Sequence, residues 1–320
     1  MRAILRRIQK KFSRPFDTRP QTYEVNYEVS VKNTSSSKKE LNLILPIPPQ
    51  TPNQQRQSDI KLWPKGTVVK KDKLFGNQYV LWQINFKPQE SRLYQLSFKV
   101  LILPAAADLK KNYLMNEYKK ISQKAEKFLA ASPHLQSDNP RIKNLAEKIK
   151  RREKNVLTII KNLNQYVISH LSYGRPIQGL YSALEALDNK ITDCGGFSSL
   201  FVSLCLALGI PARIISGFWA GWPKNTMHAW LEIMLPDGRW IPADPSVEFL
   251  ARQNRTKKSG RLGFIGSDRI IFSFGCDIPI EIGNKTVVID ILQNPFLYSE
   301  NGLDDFEIEM GFEAKRLRKS

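Results

Sequence analysis

The chain is poor in the residues that staple, chelate or span. Of its 320 residues only three are cysteine, Cys194, Cys205 and Cys276, and three are histidine, His134, His170 and His228. An odd, sparse cysteine set excludes a disulfide scaffold. No Cys-x-x-Cys pair occurs, and no His/Cys spacing suits zinc, so neither a metal nor a cofactor is expected. No stretch approaches the ~20 apolar residues that cross a bilayer. The first residues, MRAILRRIQKKF, lack the apolar run of a signal peptide. A reducing, cytoplasmic setting is the expectation, and it suits a free reactive thiol.

Acidic residues are also scarce: 30 against 49 Lys and Arg, a formal net charge of +19. The deficit is uneven. Residues 1–105 hold 19 basic and 7 acidic groups, residues 106–155 hold 13 and 6, residues 156–298 hold 13 and 11, and residues 299–320 hold 4 and 6. A basic N-terminal half points to an anionic partner such as a membrane surface, nucleic acid or an acidic protein, or serves solubility alone. At the start, Met1, Ile4, Leu5, Ile8 and Phe12 fall at helical spacing with Arg2, Arg6, Arg7, Lys10 and Lys11 between them. That pattern suits a short amphipathic helix on an anionic membrane, which would make the protein peripheral to it; an arm packed on its own domain is the alternative. The remaining basic residues are dispersed without a recognition motif, so nucleic acid is not expected as a partner.

What is present is a well-supplied core and a change of period along the chain. Apolar residues make up 42%, which argues against disorder. Residues 1–20 read as the basic arm. Residues 21–105 read as β: TYEVNYEVSVKN alternates, and NLILPIP, DIKLW, TVVKK, QYVLWQINF and RLYQLSFKVLIL follow between turn residues. About six short strands at such spacing predict a small antiparallel β-sandwich. Residues 106–155 read as a helical connector, with helical character expected over 110–171 and KIKRREK as a solvated charge run. Residues 156–298 hold a buried helix and then RIISGFW, HAWLEIML, RWIPADP, RIIFSF and KTVVIDIL as strands. Residues 299–320 end in DDFEIEMGFEAK, which alternates as a half-exposed strand would. Helices followed by strands indicate an α+β arrangement.

The chemistry concentrates at ITDCGGFSSLFVSLCLALGIPARIISGF, residues 191–218. Thr192 and Asp193 are residue types that cap helices. Phe197, Leu200, Phe201, Leu204 and Leu208 then share one face, and Gly209 with Pro211 ends the helix. Cys194 therefore falls in the first turn, where unpaired N–H groups favour negative charge and would lower the thiol pKa toward the thiolate. Gly195 and Gly196 are expected to leave room for a substrate, with the Cys194 N–H facing a developing oxyanion. Cys205, mid-helix, and Cys276, in SFGCDIPI, read as packed residues. His134 sits in a polar loop and His170 at a helix end. His228 opens HAWLEIML, the first arm of a hairpin that turns at Pro236-Asp237-Gly238. In the register that sets residue 228 opposite residue 246, Asp244 is the diagonal neighbour of His228 and could hold the imidazole in one tautomer.

The DCGG helix running into GIPAR, then HAW, then the W-x-P-x-D-P strand, together resemble the transglutaminase-like superfamily over about residues 156–298. The resemblance implies a papain-like α+β core with a Cys-His-Asp triad carried by Cys194, His228 and Asp244. The preceding strands resemble the β domain often found before this core in prokaryotic members. Tyr173, upstream of the thiol, is a candidate second oxyanion donor, and Trp230 is expected to wall the cleft. The chain lacks the calcium-binding segments of animal crosslinking enzymes and the zinc-binding cysteines of peptide N-glycanases. The implied activity is cleavage of amide bonds in a protein or peptide substrate through a Cys thioester. Amine transfer by the same triad and a non-catalytic scaffold are the alternatives.

Overall fold

A computed structural model describes residues 18–65, 68–120, 123–220 and 225–317. The amphipathic arm of residues 1–12 lies outside them. The N-terminal half is built from β1 (Gln21–Asn33), β2 (Lys39–Ile47), β3 (Gln54–Arg56), β4 (Lys61–Trp63), β5 (Val68–Lys71), β6 (Gln78–Phe86) and β7 (Ser91–Ile102). Five helices follow: α1 (Pro140–Lys150), α2 (Val156–His170), α3 (Ala183–Asn189), α4 (Cys194–Ala207) and α5 (Pro245–Arg252). Around and after the last two run β8 (Ala212–Trp219), β9 (Met227–Met234), β10 (Trp240–Ala243), β11 (Arg269–Phe274), β12 (Ile278–Ile282), β13 (Lys285–Ile289), β14 (Phe296–Tyr298) and β15 (Phe306–Leu317).

The alternation of β1 does what period two requires: Tyr23, Val25, Tyr27, Val29 and Val31 are all buried on one face. Its antiparallel sheet runs β15-β1-β7-β3, with β4 also paired to β7. A second antiparallel sheet runs β14-β2-β6-β5. The inward residues of both, such as Val25, Leu43, Trp82 and Phe98, share one apolar core. The C-terminal strand β15 pairs with β1 along its whole length, from Thr22 opposite Leu317 to Asn33 opposite Phe306. Strand β15 thus completes the first sheet. β2 is apolar on both faces because β12 and β13 pack on its outer side: Ile44, Tyr79 and Leu81 meet Ile278, Ile280 and Ile289.

Helical character over residues 110–171 is only partly realised. Between residues 106 and 139 the described structure holds isolated helical turns, at Met115–Lys120 and Gln123–Glu126. Sustained helix begins where Asn139, whose side chain accepts from the Arg141 N–H, caps α1 ahead of Pro140. Asn155 caps α2 in the same manner. The central helix α4 is buried on every side, with residues 195–206 all enclosed. Phe197, Leu200, Phe201 and Leu204 are each fully buried, which stabilises the fold by about 1.5–3 kcal/mol per side chain. The helix ends at Gly209 with φ +74°, a left-handed position that glycine adopts at little cost.

Against α4 lies a four-stranded antiparallel sheet in the order β10-β9-β8-β11. Phe218, Ile270 and Phe272 from this sheet enter the core of the N-terminal sheets, so the two halves share apolar packing. Helix α5 is absent from the sequence-based expectation, which ends the β10 strand at Pro245 and goes directly to the next. Asp244 is in fact its N-cap and Pro245 its first residue, a start signal that the DP dipeptide carries.

Candidate active site

Helix α4 begins at Cys194, as its capping residues predict. Asp193 is extended and its Oδ1 accepts the Gly195 N–H at 2.9 Å and the Gly196 N–H at 3.3 Å. Oδ2 accepts the Ile177 N–H at 3.2 Å. The cap has an unexpected consequence for the thiol. The amides that would stabilise a thiolate are given to a carboxylate, whose own charge opposes a second anion beside it. Burial pushes the Cys194 thiol up to about 12, and Asp193 and Asp244 add to that rise. The thiol pKa is therefore raised rather than lowered as helix position suggests: burial, with the Asp193 charge next, outweighs the Ala229 and Gly195 N–H groups that favour the thiolate.

The two glycines also have a different role from the one their position suggests. A Cβ at Gly196 would lie 1.9 Å from Thr192 Oγ1, and one at Gly195 would lie 2.8 Å from Leu180 Cδ1. They admit close approach of the chain's own side chains to α4, and Gly195 also lines the cleft beside Cys194.

The hairpin register matches the sequence reading. β9 and β10 pair Leu231 with Ala243 and Met234 with Trp240, the expected register, but the pairing stops at Ala243 and residue 246 belongs to α5, so Asp244 meets His228 from the cap of that helix rather than from a strand. His228 and Asp244 meet: Nε2 stands 2.7 Å from Asp244 Oδ2, with both residues buried. Cys194 Sγ accepts the N–H of Ala229, the residue after His228, at 3.4 Å. Sulfur, imidazole and carboxylate thus converge, and Cys194 and His228 line one cleft of about 530 Å³. With Nε2 engaged by the carboxylate, Nδ1 is the ring nitrogen left for the cleft side.

Asp244 is saturated. Oδ1 accepts from the Ser246 hydroxyl at 2.9 Å and the Val247 N–H at 3.0 Å, and Oδ2 accepts from Arg269 at 2.8 Å besides facing His228. Burial alone would raise its pKa, but the His228 and Arg269 charges hold it well below the usual carboxylate range. Burial lowers the His228 pKa against the pull of Asp244.

Arg269 escaped the sequence reading. It is 2% exposed, donates to Asp244 and, at 2.7 Å, to Asp268 Oδ1, and lies 4.1 Å from the Trp219 ring centroid. Its signal is the basic residue of SDRII, which carries no spacing rule that ties it to a carboxylate 25 positions earlier. Trp219 was missed as well. Its ring packs 4.3 Å from that of His228 and lines the cleft. Trp230, expected to wall the cleft, instead lies 5.7 Å from the His228 ring and clusters with Ile215 and Ile265 away from the cleft lining. Positions 228 and 230 share a face of β9, so Trp230 stacks beside His228 on that face and packs with Ile215 and Ile265, while Trp219 from the neighbouring strand lines the cleft.

Tyr173, the candidate second oxyanion donor, lies on the cleft wall. A two-residue parallel bridge pairs Tyr173 with Thr192, beside the start of α4. Its ring lines the cleft, and its hydroxyl makes no hydrogen bond among the described residues. His170 stacks on Tyr166. His134 is no free loop residue: its Nδ1 stands 2.6 Å from Asp277 Oδ1. Cys205 is buried in the core. Among the described residues, no group of three or more His, Cys, Asp or Glu side chains is placed to hold a metal ion. No described helix is long and apolar enough to cross a membrane.

Comparison with known proteins agrees with this geometry. Residues 143–245 match the model of the transglutaminase-like superfamily. Over 163 residues the chain is 23% identical to the uncharacterized protein YebA of Bacillus subtilis, a match that takes in 43% of this chain. It spans 22% of the length of that relative. A crystal structure from Cytophaga hutchinsonii, described as a candidate cysteine protease, superposes with a TM-score of 0.66 at 15% identity. That superposition covers 94% of this chain and 92% of the other, a likeness of fold. Residues 143–245 are thus similar to a transglutaminase-like core, within a chain of α+β architecture.

Proposed function

We propose that the chain is a cysteine-dependent amide hydrolase, a peptidase or amidase. Cys194 is its nucleophile, His228 its acid–base and Asp244 the group that orients the imidazole. The observation that carries this reading is the 2.7 Å contact of His228 Nε2 with Asp244. It leaves Nδ1 to serve the sulfur, which sits against the next residue of the same strand. Burial raises the thiol pKa, so the proton leaves the sulfur as the attack proceeds. Sγ bonds to the amide carbon as Nδ1 takes the thiol proton. The C–N bond then breaks, His228 protonates the departing amine, and a thioester remains. Water, deprotonated by His228, cleaves the thioester and returns the thiol. The Cys194 N–H and the Tyr173 hydroxyl are the donors available to the oxyanion.

The decisive experiment is alkylation of the whole chain by an iodoacetamide probe with the modified residue located by mass spectrometry. Modification confined to Cys194 and slowed at least ~10-fold in His228→Ala supports the reading. Equal rates in the two proteins favour the scaffold alternative. Incubation with a peptide library, with and without a primary amine, separates cleavage and deamidation from amine adducts. Adducts as the dominant product would convert the assignment from hydrolase to transferase.

A further inference from the structure

A hydrolase of this kind needs an acyl donor, and the charge of the cleft restricts which one. The chain carries 49 Lys and Arg against 30 Asp and Glu, so an average patch of its surface is basic. The described cleft lining reverses that balance: it contains Asp193 and Asp290 and no Lys or Arg. Lys258 comes near, but its Nζ lies over the Trp219 ring at 3.4 Å. A low-dielectric cleft of one sign focuses its field on a ligand of the other.

The two carboxylates are not equivalent. Asp193 is occupied by the amides of Gly195, Gly196 and Ile177. Asp290 follows β13 at the foot of the hairpin, where its carbonyl accepts the Asp277 N–H at 2.9 Å. Its side chain is 46% exposed. It faces the opposite loop so closely that a Cβ at Gly179, another lining residue, would lie 2.7 Å from Oδ2. Its ion-pair partner among the described residues is His134, whose Nε2 stands 3.8 Å away, beyond hydrogen-bond length, while Nδ1 is held by Asp277. On the same wall Gln293, 6% exposed, has a side-chain oxygen with no hydrogen-bond partner among the described residues. A carboxylate with capacity to spare and an orphaned acceptor beside it call for a group rich in donors and positively charged.

We propose that Asp290, with Gln293 next to it, receives a Lys or Arg side chain of the acyl donor, so that the cleft selects peptides that are basic beside the scissile amide. This rests on the acyl-transfer reading above, and the test keeps the two apart. Three methanethiosulfonates of similar size are compared on the whole chain: a trimethylammonioethyl, a sulfonatoethyl and a methyl reagent. Each forms a mixed disulfide at Cys194 and releases methanesulfinate, with no turnover required. Rates at Cys194, located by mass spectrometry, are normalised to those of glutathione.

The expected cation-over-anion ratio is about tenfold or more at low salt, shrinking as ionic strength rises. Asp290→Asn brings it within about threefold of unity, and Asp290→Glu, which keeps the charge, retains it. The ratio is the readout, not the absolute rate. A ratio unchanged in Asp290→Asn, a preference for the anion, or failure of all three reagents to reach Cys194 overturns the proposal. The peptide arm uses matched peptides with Lys, Gln or Glu flanking the amide. Preferential cleavage of the Lys peptides, lost in Asp290→Asn, supports it. Cleavage indifferent to charge refutes it while leaving the hydrolase intact. A charge ratio without any turnover refutes the hydrolase instead.

Discussion

Two groups of cysteine, histidine and aspartate lie in this chain, and they are built differently. In the first, Asp244 bonds the imidazole of His228, and the sulfur of Cys194 sits against the neighbouring backbone at the wall of a cleft of about 530 Å³. In the second, Asp277 bonds the imidazole of His134 at 2.6 Å and also accepts from Cys276 Sγ at 3.6 Å and the Ser132 hydroxyl at 2.5 Å. Cys276 is almost fully buried and borders a void of about 70 Å³. The same three residue types give a proposed nucleophile in one place and a polar tether in the other. Where the imidazole stands between carboxylate and cleft, it can exchange a proton with a substrate. Where the carboxylate stands between imidazole and thiol, it opposes ionisation of the thiol, and burial together with Asp277 raises the Cys276 pKa.

The histidines differ in sign as well. Burial lowers the His228 pKa. The hydrogen bond that Asp277 accepts from the ring, against the effect of burial, raises that of His134. A group whose pKa falls on folding destabilises the protein as pH drops below the unfolded value of about 6.5. A group whose pKa rises contributes stability that is whole below that pH and fades as pH climbs through the folded value. One histidine should therefore penalise acid and the other reward it.

The contrast can be broken at several points, the largest first. Cys194→Ala should reduce amide cleavage by at least ~10³-fold with little change in thermal midpoint. Cys276→Ala should keep the activity and cost about 1–2 kcal/mol, read by denaturant unfolding. Activity that survives the first change, or is abolished by the second, would exchange the two roles. Arg269→Met should destabilise by about 3–5 kcal/mol, since it removes the buried guanidinium that donates to both Asp244 and Asp268. A smaller loss, seen in the same unfolding assay, would show that His228 alone can hold Asp244. Alkylation of Cys194 should quicken steadily with pH above neutrality, because the thiol titrates near 12; a rate already flat between pH 6 and 8 would reveal a preformed thiolate–imidazolium pair. The smallest effect, under about 1 kcal/mol, is the opposite pH slope of the histidine variants. The loss of stability in His134→Asn should shrink as pH rises past about 6.5, while His228→Asn should gain on the parent as pH falls below it. Parallel slopes in a urea titration series would erase the distinction.

The legible part of the site was local. Asp193 as cap, the start of α4 at Cys194, the turn at Gly238 and the register that brings Asp244 to His228 all follow from spacing within one helix or one hairpin. Non-local parts were not legible. Trp219 faces the imidazole from the strand paired with its own, where Gly217 lies opposite His228. Arg269 and Asp290 reach the site from strands and turns that pack late in the chain. The raised thiol pKa was not legible because local spacing does not show how deeply the sulfur is buried, and burial is its leading cause. Connector residues 106–139 read as helical from their composition, but isolated turns there are set by packing against the core rather than by propensity.

By itself the sequence determined the α+β order, the strand faces, the buried helix and the pairing of one histidine with one aspartate, because side-chain period and turn chemistry act over a few residues. Only the tertiary structure decided that the last strand closes the first sheet, that a buried arginine braces Asp244, and that an acidic wall faces the thiol in a basic protein. Those depend on contacts between segments far apart in the chain, whose meeting is fixed by shared burial and charge compensation rather than by any local rule.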